Sequence, residues 1–147
     1  MIFNLGDPLY LDSSALVKRY ITEQGSDLVK FWIKSSSTVI TSIITLAEVS
    51  AAIARVRRMN IISSEEAIIA FNSLNNDWPC LQRLPLVEVT VQKASNLVNI
   101  YDLRGDDAVQ MASAMMAQDL VGKPIWLATF DQLLASAAKK ADIKTLP

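Results

Sequence analysis

Short apolar runs alternate with longer amphipathic stretches along this chain, and the alternation predicts an α/β architecture. PLYLD at 8–12 is an apolar run closed by an acid, while TVITS at 38–42 and PIWLAT at 124–129 are rich in β-branched and large apolar residues. Continuous apolar runs of this length fit strands buried on both faces of a sheet. PLVEVT at 85–90 and IKTL at 143–146 read as two further strands. Helical spacing fills the intervals: 13–21, 25–35, 45–60, 63–78, 91–103, a helix opened by Asp106 or Asp107 and running to about Leu120, and 131–141. In the 45–60 segment Leu46, Val49, Ile53 and Val56 recur every three or four residues, the period of one helix face. Ser63 and Ser64 precede Glu65 and Glu66, which is a helix-start signature. Strands separated by helices predict a central, mostly parallel sheet of about five strands, with helices on both faces.

The 147 residues are most simply one domain, 1–147, large enough to bury a core. A net charge of −1 conceals no basic block, so any nucleic-acid contact has to be local. No charged-then-apolar leader opens the chain. The most apolar window, 37–56, carries Glu48 in its middle, and a central carboxylate is costly in lipid; no membrane span is expected. Cys80 is the one cysteine, which permits no internal disulfide and points to a reducing, cytoplasmic setting. There is no histidine. That removes every Ser-His or Cys-His nucleophile, the HExxH zinc site and the imidazole base. Enzymatic chemistry in this chain is left to carboxylates, hydroxyls, Lys, Arg or a hard metal ion.

Placed on the predicted topology, four acids converge. Asp12 ends the first strand, and Asp131 lies two residues past PIWLAT. Glu48 falls in the first turn of the helix after TVITS, and Asp107 starts the helix that feeds PIWLAT. All four belong to the C-terminal edge of the strands, where open α/β sheets bind ligands. Asp12 and Asp131 are also plausible helix caps, and Glu48 a plain surface residue; the convergence is what favours chemistry. Two like charges about 4 Å apart repel by about 4 kcal/mol at an effective dielectric of about 20. Several of them in one pocket need protonation, a basic side chain or a divalent cation. An all-oxygen set suits Mg2+ or Mn2+ rather than Zn2+, and such ions serve phosphodiester or phosphoryl hydrolysis.

The segments YLDSSALVKRY, TSIITLAEVSAAIAR, LRGDDAVQMASA and LATFDQLLASAAKKADI resemble the four acidic motifs of PIN-domain ribonucleases, most closely the VapC-type toxins of toxin–antitoxin pairs. The resemblance covers essentially the whole chain. It implies a Mg2+- or Mn2+-dependent endoribonuclease on a five-stranded parallel sheet, with Asp12 and Asp107 as direct metal ligands and Glu48 and Asp131 completing the acidic set. The family's third acid directly precedes the small residue of DAxxxA, which selects Asp107 over Asp106 and leaves Asp106 a capping or substrate-side role. Ser14 and Thr129 resemble groups that orient a carboxylate or hold a metal water. Gln110 stands where many relatives carry His, a variable position from which no lost chemistry is inferred. The resemblance also implies a cognate antitoxin wrapped over the early helices, and a homodimer.

Lys18, Arg19 and Arg104 flank the first and third acids and are candidate contacts for RNA phosphates. Arg55, Arg57 and Arg58 offer the same, although cations in a last helical turn also serve the helix dipole. Phe31, Trp32 and Ile33 form more apolar perimeter than one core-facing stripe requires. Two other functions compete with the nuclease: a non-catalytic PIN-fold module that binds RNA or antitoxin, and a metal-dependent phosphohydrolase acting on another phosphoester. None of the acids is missing, which disfavours the first. DSSAL lacks a second acid two residues after Asp12, which disfavours the aspartyl-phosphate form of the second. A small open reading frame beside the gene is the cheap sign of a toxin.

Overall fold

The computed structural model describes residues 2–147. Five strands, β1 (Leu9–Leu11), β2 (Val39–Ser42), β3 (Gln82–Leu84), β4 (Trp126–Ala128) and β5 (Lys144–Leu146), form one sheet in the order β3-β2-β1-β4-β5. Every pairing is parallel. The helices are α1 (Ser13–Leu16), α2 (Ser26–Ser35), α3 (Thr45–Arg58), α4 (Ser64–Asp77), α5 (Glu88–Tyr101), α6 (Gly105–Val121) and α7 (Gln132–Lys140).

Both faces of the sheet are covered, which explains the unbroken apolar runs of β1 and β4. Leu9, Leu11, Trp126 and Ala128 point into a core shared with α1–α4, through Val29, Val49, Ile53 and Leu74. Tyr10 and Leu127, one residue out of step, point into the opposite core with Leu97, Met111 and Leu134 from α5–α7. This is the two-residue period of a strand expressed as two packed faces. Among the described residues no helix is long and apolar enough to cross a membrane.

The chain leaves β1 toward β2 and β3 on one side, then returns through α5 and α6 to β4 on the other. The strand order therefore reverses at β1, and crevices at such reversals bind ligands beyond the strand C-termini. Asp12 is the first residue past that edge.

The helix starts follow from local chemistry. The Ser63 hydroxyl accepts the Glu66 N–H at 3.1 Å and the Glu66 carboxylate accepts the Ser63 N–H at 2.7 Å, a complete capping box for α4. Most element ends shift by a residue or two from the sequence expectation, and three of the differences bear on the account. The expected strand at 85–90 is instead β3, three residues earlier, and α5 opens at Glu88. Pro85 stops the strand because it lacks an N–H. Thr90, Ala94 and Leu97 are the buried positions of α5, at helical spacing, so packing against α6 overrides the β-propensity of Val89 and Val91. The first helix is one turn of α-helix followed by a 3-10 turn over Val17–Arg19. α6 opens at Gly105, one residue before Asp106 and two before Asp107, with Arg104 at its cap position.

Candidate active site

Asp12 caps α1, its Oδ1 accepting the Ala15 N–H at 2.9 Å. The same carboxylate accepts the Ser14 hydroxyl at 2.8 Å and, on Oδ2, the Thr129 hydroxyl at 2.6 Å. It is only 3% exposed. Burial pushes its pKa up to about 6, against the opposing pull of the Thr129, Ser14 and Ala15 donors. Thr129 also accepts the Asp131 N–H at 3.1 Å, and Ser14 accepts the Phe130 N–H at 2.8 Å. Two hydroxyls thus tie Asp12 and α1 to the loop after β4 and fix Asp12 relative to Asp131.

Glu48 lies in the first turn of α3. Its Oε2 accepts the Ser13 hydroxyl at 3.2 Å and its Oε1 accepts the Gln110 amide at 2.6 Å. Burial raises its pKa, with Gln110 and Ser13 working the other way. Gln110 sits one turn after Asp107 on α6 and is itself buried. Its carbonyl accepts the Tyr10 hydroxyl at 2.7 Å, and its amide also reaches Thr45 Oγ1 at 3.0 Å. A buried carboxamide tied on both ends gives Glu48 a fixed orientation.

Asp107 is buried in the first turn of α6, and burial raises its pKa while Arg104 lowers it. Arg104 Nε donates to Asp107 Oδ2 at 2.9 Å, and Nη2 of the same guanidinium donates to Asp131 Oδ2 at 2.8 Å. The other oxygen of Asp131 caps α7 by accepting the Leu134 N–H at 3.0 Å. Asp12 and Asp131 thus both cap helices while also lining the cleft: Asp131 keeps one oxygen on the α7 cap and turns the other to Arg104, whereas both oxygens of Asp12 accept hydroxyl donors. Asp106 is different: exposed, it accepts only the Asp107 N–H at 3.0 Å and stands 3.9 Å from Arg104.

Asp12, Glu48, Asp107 and Asp131 line one open cleft of about 630 Å³, as do Ser14, Lys18 and Arg104, with Thr129 buried behind Asp12. Lys18 is engaged there, bonded to Glu23 at 2.9 Å with its ammonium 4.4 Å from the centre of the Phe130 ring. Arg19, unlike Lys18, does not line the cleft; it pairs with Asp77 at 3.0 Å. The 3-10 turn explains this, since it carries consecutive residues to different sides. Arg55 and Arg58 line the cleft and Arg57 does not. Arg55 lies seven residues after Glu48, two turns along the same helix face, a spacing legible in the sequence.

The donor set is all oxygen, which fits a hard divalent cation. Among the described residues no three carboxylates close on one point as they stand, yet Asp107 and Asp131 already converge on a single cationic group. Mg2+ needs only one or two protein carboxylates and keeps several waters, so the residues present fit such an ion.

A parallel sheet with an acidic cleft at its strand-order reversal defines a class of carboxylate-based α/β domains, and comparison with known proteins places the chain within it. Residues 9–146 match the PIN domain family. The chain is 31% identical over 140 residues to Ribonuclease VapC45 of Mycobacterium tuberculosis, covering 95% of this chain and 94% of that one. Solved structures share the fold at lower identity. FitAcB from Neisseria gonorrhoeae matches with a TM-score of 0.69 at 17% identity, over 95% of this chain and 96% of its own. VapC20 of Mycobacterium tuberculosis, described as a sarcin-ricin loop cleaving toxin, matches at 0.64 and 16%, over 88% and 94%. The chain belongs to the PIN-domain family and is homologous to its VapC ribonucleases.

Proposed function

We propose that this protein is a Mg2+- or Mn2+-dependent endoribonuclease, the toxin of a toxin–antitoxin pair. The observation that carries the proposal is the gathering of Asp12, Glu48, Asp107 and Asp131 in one cleft whose rim bears Arg55, Arg58 and Arg104. The acidic floor suits a cation and the basic rim suits a polyanion. Homology to VapC ribonucleases over nearly the full length supports RNA as the substrate.

Asp12 and Asp107 would hold the divalent ion, which supplies charge neutralisation at the scissile phosphate and a water of lowered pKa. Thr129 and Ser14 keep both Asp12 oxygens engaged on their inner side and so set the direction in which its remaining lone pairs face. Glu48, oriented by Gln110, and Asp131, oriented by its capping bond, stand ready to accept hydrogen bonds from water in the cleft. Arg55 and Arg58 bind phosphates flanking the cut. In-line attack of water then leaves a 5′-phosphate and a 3′-hydroxyl.

The supporting partners are an antitoxin protein and a second copy of the chain, in the cytoplasm. Phe31 is 56% and Leu28 48% exposed on α2 while Trp32 is buried, so this helix offers apolar surface beyond what the core uses.

The test is cleavage of defined tRNA and rRNA fragments by the purified chain with Mn2+, Mg2+ or EDTA, beside Asp12→Asn. Cuts that require the metal and vanish in the variant support the reading. Cuts that persist in EDTA contradict it.

A further inference from the structure

We propose that Arg104 is a built-in competitor for the metal: its guanidinium takes the cleft-facing oxygens of Asp107 and Asp131 and has to release Asp107 before a divalent ion is held by that acid. The inference rests on the divalent-cation reading above. Three observations carry it.

The first is which oxygens are used. Asp131 commits Oδ1 to the α7 cap, so Oδ2 is the oxygen it can turn to the cleft, and Arg104 takes that one at 2.8 Å. The same guanidinium takes Asp107 Oδ2 at 2.9 Å. An ion held by Asp107 would compete with the guanidinium for Oδ2 of that acid.

The second is how loosely Arg104 is otherwise held. Its side chain is 63% exposed, and its ion pairs are with Asp106, Asp107 and Asp131 alone among the described residues. It also stands at the cap position of the 17-residue α6, where the helix dipole disfavours a cation. The carboxylates, not the helix, hold it in place.

The third is where it goes. Arg104 borders the cleft it would vacate. A released guanidinium there can meet an incoming phosphate as a planar, two-pronged donor. The same side chain would neutralise the acids in the metal-free protein and contact RNA in the loaded one.

Mn2+ binding to the full-length, metal-stripped chain, followed by calorimetry and by the electron paramagnetic resonance of free Mn2+, tests this with Arg104→Gln, Arg104→Lys and Asp107→Asn. Exposed ion pairs are individually modest, so Arg104→Gln is expected to tighten Mn2+ binding by about fivefold. Arg104→Lys, whose ammonium makes one contact where the guanidinium makes two, should fall between it and the wild type. Circular dichroism confirms folding of each variant. Equal or weaker Mn2+ binding by Arg104→Gln, with binding lost in Asp107→Asn, overturns the competitor role and leaves the metal site standing. No Mn2+ binding by any of the proteins overturns both.

Discussion

The Gln110 amide donates a 2.6 Å hydrogen bond to Glu48, joining α6 to α3 across 62 residues of sequence. The other end of the same carboxamide accepts from the buried Tyr10 hydroxyl in β1. Glu48 is therefore aimed by a residue whose own rotamer is fixed from the core.

Removing that strut should be felt twice. Gln110→Ala strands the Tyr10 hydroxyl, and an unsatisfied buried donor costs about 1–3 kcal/mol, readable as a lower urea midpoint. It also removes a bond that favours ionised Glu48. The Glu48 pKa then rises further, so the acid limb of the pH–rate profile should move to higher pH. A midpoint shift with an unmoved pH profile would make Gln110 a packing residue only.

Metal-free stability should fall as pH rises from 4 to 7. Asp12 keeps its proton to about pH 6 in the folded protein, against an ordinary value of 3.8. Between those values the folded state binds more protons than the unfolded state, so the slope of unfolding free energy against pH is negative. The Asp12 contribution is fully present below about pH 4 and is lost as pH climbs through 6, a change of about 3 kcal/mol at most. Burial shifts Glu48 and Asp107 in the same direction. Urea titrations in EDTA at pH 5 and 7.5 check this, and Asp12→Asn should flatten the difference.

The two sides of the basic surface should separate cleanly. Arg55→Ala is expected to weaken RNA binding across sequences and to lower its salt slope by about one charge. Arg19→Ala should leave RNA binding unchanged and cost at most about 1 kcal/mol through its exposed pair with Asp77. Filter binding over a series of salt concentrations distinguishes them.

Gly25→Ala should disturb the cleft wall without touching an acid. Gly25 has φ +91°, and a Cβ there would lie 2.7 Å from the Phe130 ring. Left-handed strain and the clash together should cost about 1–3 kcal/mol, and Phe130 would be pushed from under Lys18. Thermal unfolding measures the first effect.

The fold and the four acids were legible because each announced itself locally. β1 and β4 are buried on both faces and read as unbroken apolar runs, and each acid follows a strand or opens a helix at one edge of the sheet. What escaped the sequence depended on tertiary partners. Val89 and Val91 have strand propensity, yet packing on α6 makes their segment a helix. Arg19 and Lys18 are neighbours in sequence, and only the 3-10 turn sends one to Asp77 and the other to the cleft. Gln110 looked replaceable because nothing local reveals that Tyr10 and Glu48 meet at its two ends. Arg104 drew notice as a phosphate contact. Its place between two carboxylates follows from the spacing of β4, α6 and α7.

The most direct test of the account compares Asp106→Asn with Asp107→Asn in Mn2+-dependent RNA cleavage, with both variants confirmed folded by circular dichroism. Asp107 is buried among the site acids and Asp106 is exposed at the helix start. The account predicts cleavage lost in Asp107→Asn and largely kept in Asp106→Asn. Cleavage retained by Asp107→Asn, or lost only in Asp106→Asn, would contradict it.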